Sequence, residues 1–254
     1  MKATVILLAG SRPGGDPLAA QFGVSSKALI PLGGEPMILR PLAALRASKM
    51  VGEILVLTQE PGQFADILPA AKDLRVERSG ATIAATIEAL CADSKTRWPL
   101  LVTTADHGLL ESATIDEFLL GAAGSDIAIG VVDQAALIMR LPQTKRTWLS
   151  FRGGGITGAN LFALKSPRVA PAIALWRSIE QDRKKGWRLI LLAGPLTLAG
   201  AALRLLTLDQ VLARISARLG LAVKAVHLSN PLAGVDVDRL EDHRLASAIL
   251  ERRA

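Results

Sequence analysis

Short runs of consecutive apolar residues recur along the chain, as the buried strands of a parallel sheet do. The clearest run, 4–9, reads Thr-Val-Ile-Leu-Leu-Ala and ends at Gly10. Four later runs have the same β-type character, although the second of them is weak. The sequence therefore predicts further strands at residues 53–58, 74–78, 99–104 and 126–132.

Between these runs the apolar positions recur every three or four residues, which is the spacing of one helix face. This periodicity predicts helices at residues 37–49, 81–92 and 171–185. Strands that alternate with helices favour a mostly parallel, doubly wound sheet with right-handed crossovers. We therefore expect a Rossmann-like α/β sandwich of three layers, with helices on both faces and ligands at the carboxyl ends of the strands.

Three other segments do not show either pattern. Residues 10–17 form a loop rich in Gly, Pro and Asp, and residues 27–32 suggest a short extended piece that Gly33-Gly34 closes. Residues 150–165 suggest a hairpin, or a loop that leads into a strand. These segments are the expected connections of the sheet.

A very apolar stretch covers residues 189–208, interrupted by Gly194-Pro195, Gly200 and Arg204. A membrane-spanning helix needs about 20 apolar residues, so the interruptions favour a buried or interfacial helix pair. Contact with a membrane surface stays open, because Arg183-Lys184-Lys185 lies nearby. We expect a single domain over 1–254, with a helical subdomain at about 171–221 and an apolar helical insertion near 176–221.

Composition excludes several classes of protein. Half of the 254 residues are hydrophobic, which is enough for one core, and the single Cys91 excludes an intramolecular disulfide. The net charge is +7, but the basic residues are scattered and tyrosine is absent, so we expect no nucleic-acid partner. The first apolar run is too short for a signal peptide, which makes the cytoplasm the expected location.

Candidate chemistry begins in the loop after the first strand, where Gly10, Gly14 and Gly15 surround Arg12. Glycines let backbone N–H groups approach phosphate oxygens, because no side chain intervenes. Arg12 and the later Lys27 supply the positive charge that a triphosphate needs, since phosphoryl transfer depends mainly on positioning and charge stabilisation. The Walker and GxGxxG spacings are both missing, so this loop indicates another kind of nucleotide-binding protein.

The pattern Leu8-Ala9-Gly10-x-Arg12, followed by Lys27-x-Leu29-x-Pro31-x-x-Gly34-x-Pro36-Met37, resembles the signature of nucleotidyltransferases with the GT-A-type fold. This group includes the MobA-like NTP transferases, the sugar-phosphate nucleotidyltransferases and the methylerythritol-phosphate cytidylyltransferases. The resemblance implies that Arg12 and Lys27 are catalytic, with Lys27 at the α-phosphate. It also implies a nucleotide site formed by Leu8, Ala9, Gly10, Ser11, Gly14 and Gly15.

Asp106 comes after the predicted strand 99–104, directly behind Ala105. A carboxylate there can bind Mg²⁺, with phosphates and water as the other ligands, or it can cap the following turn. The resemblance favours the metal, because the family keeps a metal-binding Asp at this strand end, and it places Ala105 beside the nucleotide. His107 is expected to be a bystander, since a lone histidine is not a metal site.

Asp236 and Asp238 are two residues apart in an extended segment, so their side chains point to the same side and can share a cation. The alternative is that Asp238 caps a helix that begins near Arg239, with Glu241 completing the cap. The resemblance implies a second metal contact here, with Asp236 as the first choice and Asp238 as the second. The expected cofactor is Mg²⁺.

Two further motifs resemble the family less specifically. Gly80 and Thr82, at the start of the predicted helix 81–92, resemble the turn that reads the base and ribose, and Thr86 is a second candidate to hydrogen-bond the base. A plain helix N-terminus is the alternative. Gly158-Ala159-Asn160 resembles the acceptor-side segment, which makes Asn160 the candidate acceptor contact.

The resemblance implies a Mg²⁺-dependent nucleotidyltransferase that moves an NMP from an NTP to a small phosphorylated acceptor and releases pyrophosphate. Cytidylyl or guanylyl transfer to a sugar, polyol or lipid-headgroup phosphate is the first expectation. One rival is a GT-A glycosyltransferase, which would normally show a mid-chain DxD that Ala105-Asp106-His107 lacks. The other is a non-catalytic, membrane-associated nucleotide-binding protein. A homodimer and a peripheral membrane contact stay open.

Overall fold

The apolar runs form the strands of one large mixed sheet. The computed structural model describes residues 2–10, 14–80, 82–180 and 194–252. The strands are β1 (Ala3–Leu8), β2 (Pro31–Leu32), β3 (Glu35–Pro36), β4 (Val51–Thr58), β5 (Leu74–Arg78), β6 (Leu100–Thr104), β7 (Ile127–Asp133), β8 (Leu149–Phe151), β9 (Gly154–Leu164) and β10 (Val223–His227).

Helices connect most of these strands, and all three predicted helices are present. The predicted helix 171–185 is confirmed as far as Glu180, and its remainder lies outside the described residues. The helices are α1 (Pro17–Gln21), α2 (Leu39–Ala47), α3 (Ile83–Ala92), α4 (Ser112–Gly121), α5 (Gln134–Arg140), α6 (Ala170–Glu180), α7 (Pro195–Ala202), α8 (Leu208–Leu219) and α9 (Leu240–Glu251).

The main sheet has the strand order β10-β7-β9-β6-β1-β4-β5, and β8 pairs with β9 as the predicted hairpin. The pairs β1–β4, β1–β6, β4–β5 and β7–β10 are parallel, whereas β9 runs antiparallel between β6 and β7. The expectation of a mostly parallel sheet is confirmed. β1 lies between β4 and β6, so residues that follow these three strands meet at one edge.

Side chains of β1 alternate between two apolar cores. Val5 and Leu7 face one core, to which α2, α4 and α9 contribute, while Ile6 faces a second core with Ile87 of α3 and Ile173 of α6. All three β1 side chains are fully buried. Helices therefore cover both faces of the sheet, which confirms the three-layer α/β sandwich.

The segment 27–32 differs from its prediction as an extended piece. Lys27–Leu29 forms a 3-10 turn, and only Pro31–Leu32 is a strand. The cause is Ser26, whose hydroxyl oxygen accepts a hydrogen bond from the N–H of Ala28 at 3.3 Å. This turn is the local structure that positions Lys27.

The loop 10–17 also ends earlier than expected, because α1 begins at Pro17. The carboxylate of Asp16 accepts hydrogen bonds from the N–H groups of Leu18 and Ala19, at 2.9 and 3.1 Å. An Asp before a Pro is a typical helix start.

The described part of the apolar stretch 189–208 runs from Gly194 through α7 and the turn that follows it to the first residue of α8. Leu203 and Leu205 in this turn are 69% and 61% exposed. Within the described residues, no helix has both the length and the apolar character needed to cross a membrane. Residues 189–193 and Arg183-Lys184-Lys185 lie outside the described part of the chain.

Candidate active site

The carboxyl ends of neighbouring parallel strands surround a cavity of about 400 Å³. Leu8 is in register with Leu57 of β4 and with Thr104 of β6, so these strands end at the same level. Most of the predicted nucleotide-binding residues, and two of the predicted metal-binding residues, meet here. Those that line the cavity are Leu8, Ala9, Gly10, Lys27, Gly80, Thr82, Thr86, Ala105, Asp106 and Asp238.

A turn after β5 presents Gly80 to this cavity. The N–H of Gly80 donates to Thr86 Oγ1 at 2.9 Å, and that hydroxyl donates to the carbonyl oxygen of Thr82 at 2.8 Å. Thr82 caps α3, because its hydroxyl oxygen accepts from the N–H of Ala85 at 3.1 Å. The helix N-terminus expected as the alternative is therefore present, and both hydroxyls shape the turn that lines the cavity.

Gln59 is a cavity residue that the sequence analysis missed. It follows β4 and lies over Gly10, where an added Cβ would approach its side-chain Nε2 to 2.9 Å. The rule that singled out Gly10 and Asp106, a position just after a parallel strand, applies equally to Gln59. A polar residue at that strand end was the available signal.

Lys27 lies between two carboxylates. Its Nζ is 2.6 Å from Asp106 Oδ2 and 2.5 Å from Asp238 Oδ1. Burial alone would lower the pKa of Lys27, but attraction and hydrogen bonding to Asp106 and Asp238 outweigh it and raise the pKa above its usual value. Lys27 is therefore a firmly held cation at the cavity, on the same side of the molecule as Asp106.

Asp106 is held by its neighbours on both sides. Its Oδ1 accepts a hydrogen bond from the Thr104 hydroxyl at 2.5 Å, and its carbonyl oxygen accepts from the N–H of Val237 at 3.1 Å. The second contact joins the end of β6 to the extended segment 235–238. Asp238 thereby comes within reach of Lys27, and the two acidic motifs of the sequence share one side of the cavity.

Asp236 and the predicted acceptor residue Asn160 lie beside this group, and neither lines the cavity. Burial raises the pKa of Asp236, the negative charge of Asp238 raises it further, and Arg146 opposes both effects. The Arg146 guanidinium contacts the Asp236 carboxylate and also donates to its carbonyl oxygen at 2.9 Å. Asn160 Nδ2 donates to Asp236 Oδ2 at 3.2 Å. The predicted acceptor residue and the first-choice metal residue are thus direct partners.

Arg146 was not singled out from the sequence. It lies in the polar loop between α5 and β8, where no spacing or motif distinguishes it from its neighbours. Its side chain is nevertheless only 7% exposed. The only available signal is a contact between residues 90 positions apart.

The alternative role of Asp238 as a helix cap is wrong. The helix α9 begins at Leu240, and the carboxylate of Asp242, not Glu241, accepts from the N–H groups of Asp238 and Arg239 at 3.2 and 2.9 Å. Asp242 is four residues beyond Asp238, and its side chain reaches back to the Asp238 main chain. The side chain of Asp238 is left to pair with Lys27.

The other predicted residues lie elsewhere. Gly14 and Gly15 have φ angles of 90° and 88°, which favour glycine, but they do not line the cavity. Ser11 and Arg12 lie outside the described residues. His107 is buried, and burial lowers its pKa to about 4 against the attraction of Asp106, so it is neutral at pH 7.

A preformed metal site is not evident in the part of the chain that the structure describes, where no three His, Cys, Asp or Glu side chains are grouped around a cation position. Two carboxylates that already share one cation, Asp106 and Asp238, nevertheless suit a hard divalent ion. Mg²⁺ is commonly bound by one or two carboxylates, with phosphates and water as the remaining ligands.

Solved structures show the same fold. A hypothetical transferase from Thermus thermophilus is 31% identical, with a TM-score of 0.80, over 96% of this chain and 100% of that chain. CMP:2-keto-3-deoxy-manno-octonic acid synthetase complexed with CTP is 11% identical, with a TM-score of 0.62 and full coverage of both chains. The 4-diphosphocytidyl-2C-methyl-D-erythritol synthase from Anaerococcus prevotii is 12% identical, with a TM-score of 0.61 over 99% and 96%.

No curated protein matches the chain in a sequence search. The family model for the MobA-like NTP transferase domain matches residues 5–219, which includes most of β1, Lys27 and Asp106. The match ends before Asp236 and Asp238. Because the matched range spans most of the chain, this protein belongs to the MobA-like NTP transferases and is a nucleotidyltransferase.

Proposed function

We propose that this protein transfers a nucleoside monophosphate from an NTP to a small phosphorylated acceptor in a Mg²⁺-dependent reaction that releases pyrophosphate. The observation that carries the proposal is Lys27, a half-buried cation at the strand-end cavity, held by Asp106 and Asp238. The base lies against the backbone of Leu8, Ala9 and Gly10 and the turn at Gly80. The triphosphate then extends towards Lys27.

The reaction needs no protein nucleophile, because the acceptor phosphate itself attacks the α-phosphorus in line with the leaving pyrophosphate. One phosphate oxygen forms the new P–O bond as the bond to the β-phosphate oxygen breaks. Lys27 offsets the negative charge that develops on the α-phosphate, and Arg12 does the same for the departing pyrophosphate. Fixed cations of this kind stabilise a phosphoryl-transfer transition state more than the ground state.

Asp106 and Asp236 would hold Mg²⁺ in this proposal, with Asp238 close behind. When bound, it neutralises phosphate charge and orients the oxygens of the reacting phosphate. Each carboxylate oxygen has two lone pairs, so Asp236 can keep its bonds to Arg146 and Asn160 and still accept a cation. Removal of the metal with EDTA is expected to abolish pyrophosphate release.

CTP is our first choice of donor and GTP the second. Two structural neighbours, a synthetase complexed with CTP and a 4-diphosphocytidyl-2C-methyl-D-erythritol synthase, share the fold of this chain and support this choice. For the acceptor we propose a sugar, polyol or lipid-headgroup phosphate, contacted by Asn160.

A two-stage experiment tests the proposal. Thermal shift with each of the four NTPs and Mg²⁺ identifies the donor, because a selectively bound nucleotide raises the melting temperature. Pyrophosphate release is then measured with that NTP and a panel of phosphates: glucose 1-phosphate, glycerol 3-phosphate, erythritol 4-phosphate and phosphocholine. We expect one NTP to be preferred and release to require an acceptor. Stabilisation by a nucleotide sugar alone, with no release from any NTP, would contradict the proposal and favour a glycosyltransferase.

A further inference from the structure

Arg146 forms an unusually enclosed ion pair for a residue in a surface loop. Its Nη1 donates to Asp236 Oδ1, and its Nη2 donates to the Asp236 carbonyl oxygen at 2.9 Å and to Asp242 Oδ1 at 3.0 Å. Burying a guanidinium is costly unless carboxylates surround it. Two carboxylates do so here, and the contact to the main chain fixes the position of the Asp236 backbone as well as its side chain.

Because Asp236 is fixed in position, the Asn160 side chain that bonds to it is fixed as well. Asp236 Oδ2 accepts from Asn160 Nδ2 at 3.2 Å. Asn160 lies in β9 with a φ angle of 49°, close to the point where the register between β7 and β9 shifts. An ionised carboxylate oxygen only accepts hydrogen bonds, so the amide NH₂ must face Asp236 and the carbonyl Oδ1 must face away from it. Among the described residues, none donates a hydrogen bond to that Oδ1.

We propose that Arg146 is a positioning residue that acts through Asp236 to fix the orientation of the Asn160 amide. In the proposed function, an acceptor substrate that reaches Asn160 meets a hydrogen-bond acceptor, Oδ1, so acceptors that carry a hydroxyl group beside their phosphate are preferred. The substrate preference rests on the proposed function, because it requires Asn160 to contact the acceptor. The positioning role of Arg146 does not depend on the proposed function.

A purely structural role is the competing explanation, since Arg146 also ties its loop to the start of α9 through Asp242. Asp242→Asn separates the two explanations. It removes the charge at that end of the contact and leaves the bonds between Arg146 and Asp236 in place. If Arg146 acts through Asp236, this variant leaves Asn160 unchanged. If the tie to α9 is what matters, it disturbs Asn160 as much as loss of Arg146 does.

NMR of the side-chain amide of Asn160 tests the positioning directly, without substrate. The signal is assigned in ¹⁵N-labelled protein by its absence from Asn160→Ala. We expect it to move towards the shifts of solvent-exposed asparagines in Arg146→Met and to stay in place in Asp242→Asn. The matched control is Arg140→Met, which removes an exposed arginine at the end of α5. An unchanged signal in Arg146→Met overturns the proposal.

Arg146→Lys covers the case in which the methionine variant does not fold. A lysine is a point charge that cannot hold the Asp236 side chain and main chain together as the planar guanidinium does. We expect an intermediate shift of the Asn160 signal in this variant, and a signal identical to that of the unmodified protein would contradict the proposal.

Kinetics test the substrate preference at saturating Mg²⁺. With CTP as donor, glycerol 3-phosphate is compared with propyl phosphate, which lacks the hydroxyls. We expect Arg146→Met to raise KM for glycerol 3-phosphate about tenfold and KM for CTP less than about twofold. In the Asn160→Ala background, the same substitution should raise KM for glycerol 3-phosphate little further, because the effects of residues that act as a unit are not additive. Additive effects, or equal use of propyl phosphate, would overturn the preference. Absence of release with every phosphate contradicts the proposed function, while the NMR result still decides the positioning role.

Discussion

Two walls of the active-site cleft are built in different ways. The nucleotide wall consists of the residues after β1, β4, β5 and β6, each fixed by the hydrogen bonds of the sheet. The acidic wall presents Asp238 to the cavity and is backed by Asp236, which bonds to Arg146 and Asn160 across 90 and 76 positions of sequence. A single substitution should therefore act locally on the nucleotide wall, but disturb distant parts of the chain together in the acidic wall.

The largest effect is expected where the walls meet, at Lys27. Lys27→Ala should lower kcat by about 10² to 10³-fold, since one fixed charge on the transition state is worth about that much. Its partners Asp106 and Asp238 then repel each other without a cation between them. We expect the same variant to bind Mn²⁺ more tightly than the unmodified protein in the absence of nucleotide, because the ammonium no longer competes for the two carboxylates.

Pyrophosphate release and Mn²⁺ titration by EPR measure the two outcomes. Lys72→Met, at an exposed position, is the control for the loss of one positive charge. Unchanged turnover in Lys27→Ala would remove the central residue of the proposed mechanism. Weaker Mn²⁺ binding would show that Lys27 organises the carboxylates and does not compete for them.

The same contrast explains what the sequence revealed. The strands and the strand-end cavity could be predicted, because apolar runs and the residues that follow them are local patterns, whereas the direct ion pair of Lys27 with Asp106 was not predicted. Arg146 could not be predicted, because its burial depends on a contact with Asp236 that no local pattern encodes. The 3-10 turn at Lys27 was missed for a smaller reason, since one hydroxyl, that of Ser26, redirects the chain.

The two carboxylates of the acidic wall should differ in how much they contribute to the stability of the fold. Asp236→Asn leaves the buried Arg146 with less opposing charge, so we expect a loss of about 2 kcal/mol of unfolding free energy together with most of the turnover. Asp238 is 52% exposed. Asp238→Asn should therefore keep the stability of the unmodified protein and lower only activity.

Urea unfolding and Mn²⁺ affinity distinguish these two variants. If Asp236 is the metal ligand and Asp238 the neighbour, Asp236→Asn weakens Mn²⁺ binding more. The reverse order would assign the cation to Asp238, which shares Lys27 with Asp106 in this structure. Equal stability of both variants would contradict the picture of an acidic wall held together by Arg146.

On the nucleotide wall, Thr86→Val should have a local effect. It removes the hydroxyl that holds the Gly80 N–H and the Thr82 carbonyl oxygen. We expect a loss of about 1–2 kcal/mol in unfolding free energy and a rise of about fivefold in KM for the NTP, with kcat nearly unchanged. Thr86→Ser keeps the hydroxyl and is the matched control. An equal rise in KM for the acceptor would show that the walls are coupled.

The smallest effect on activity is expected at His107, which directly follows Asp106 and takes no part in the proposed chemistry. Burial lowers its pKa to about 4 in the folded protein, whereas the unfolded chain titrates near an ordinary histidine value of about 6.5. The unfolded state therefore binds more protons than the folded state between these two pKa values. The unfolding free energy is consequently highest above pH 6.5 and falls as the pH is lowered.

Between pH 7 and pH 5 this residue should account for a loss of about 2 kcal/mol of unfolding free energy, because the unfolded chain takes up a proton that the folded state excludes. His107→Leu removes that contribution, while His227 and His243 are common to both proteins and cancel. Urea unfolding at the two pH values measures the difference, and NTP affinity at pH 7 should not change. Parallel pH dependence in the two proteins would mean that His107 is protonated in the fold, and the charge balance beside Asp106 would then have to include one more cation.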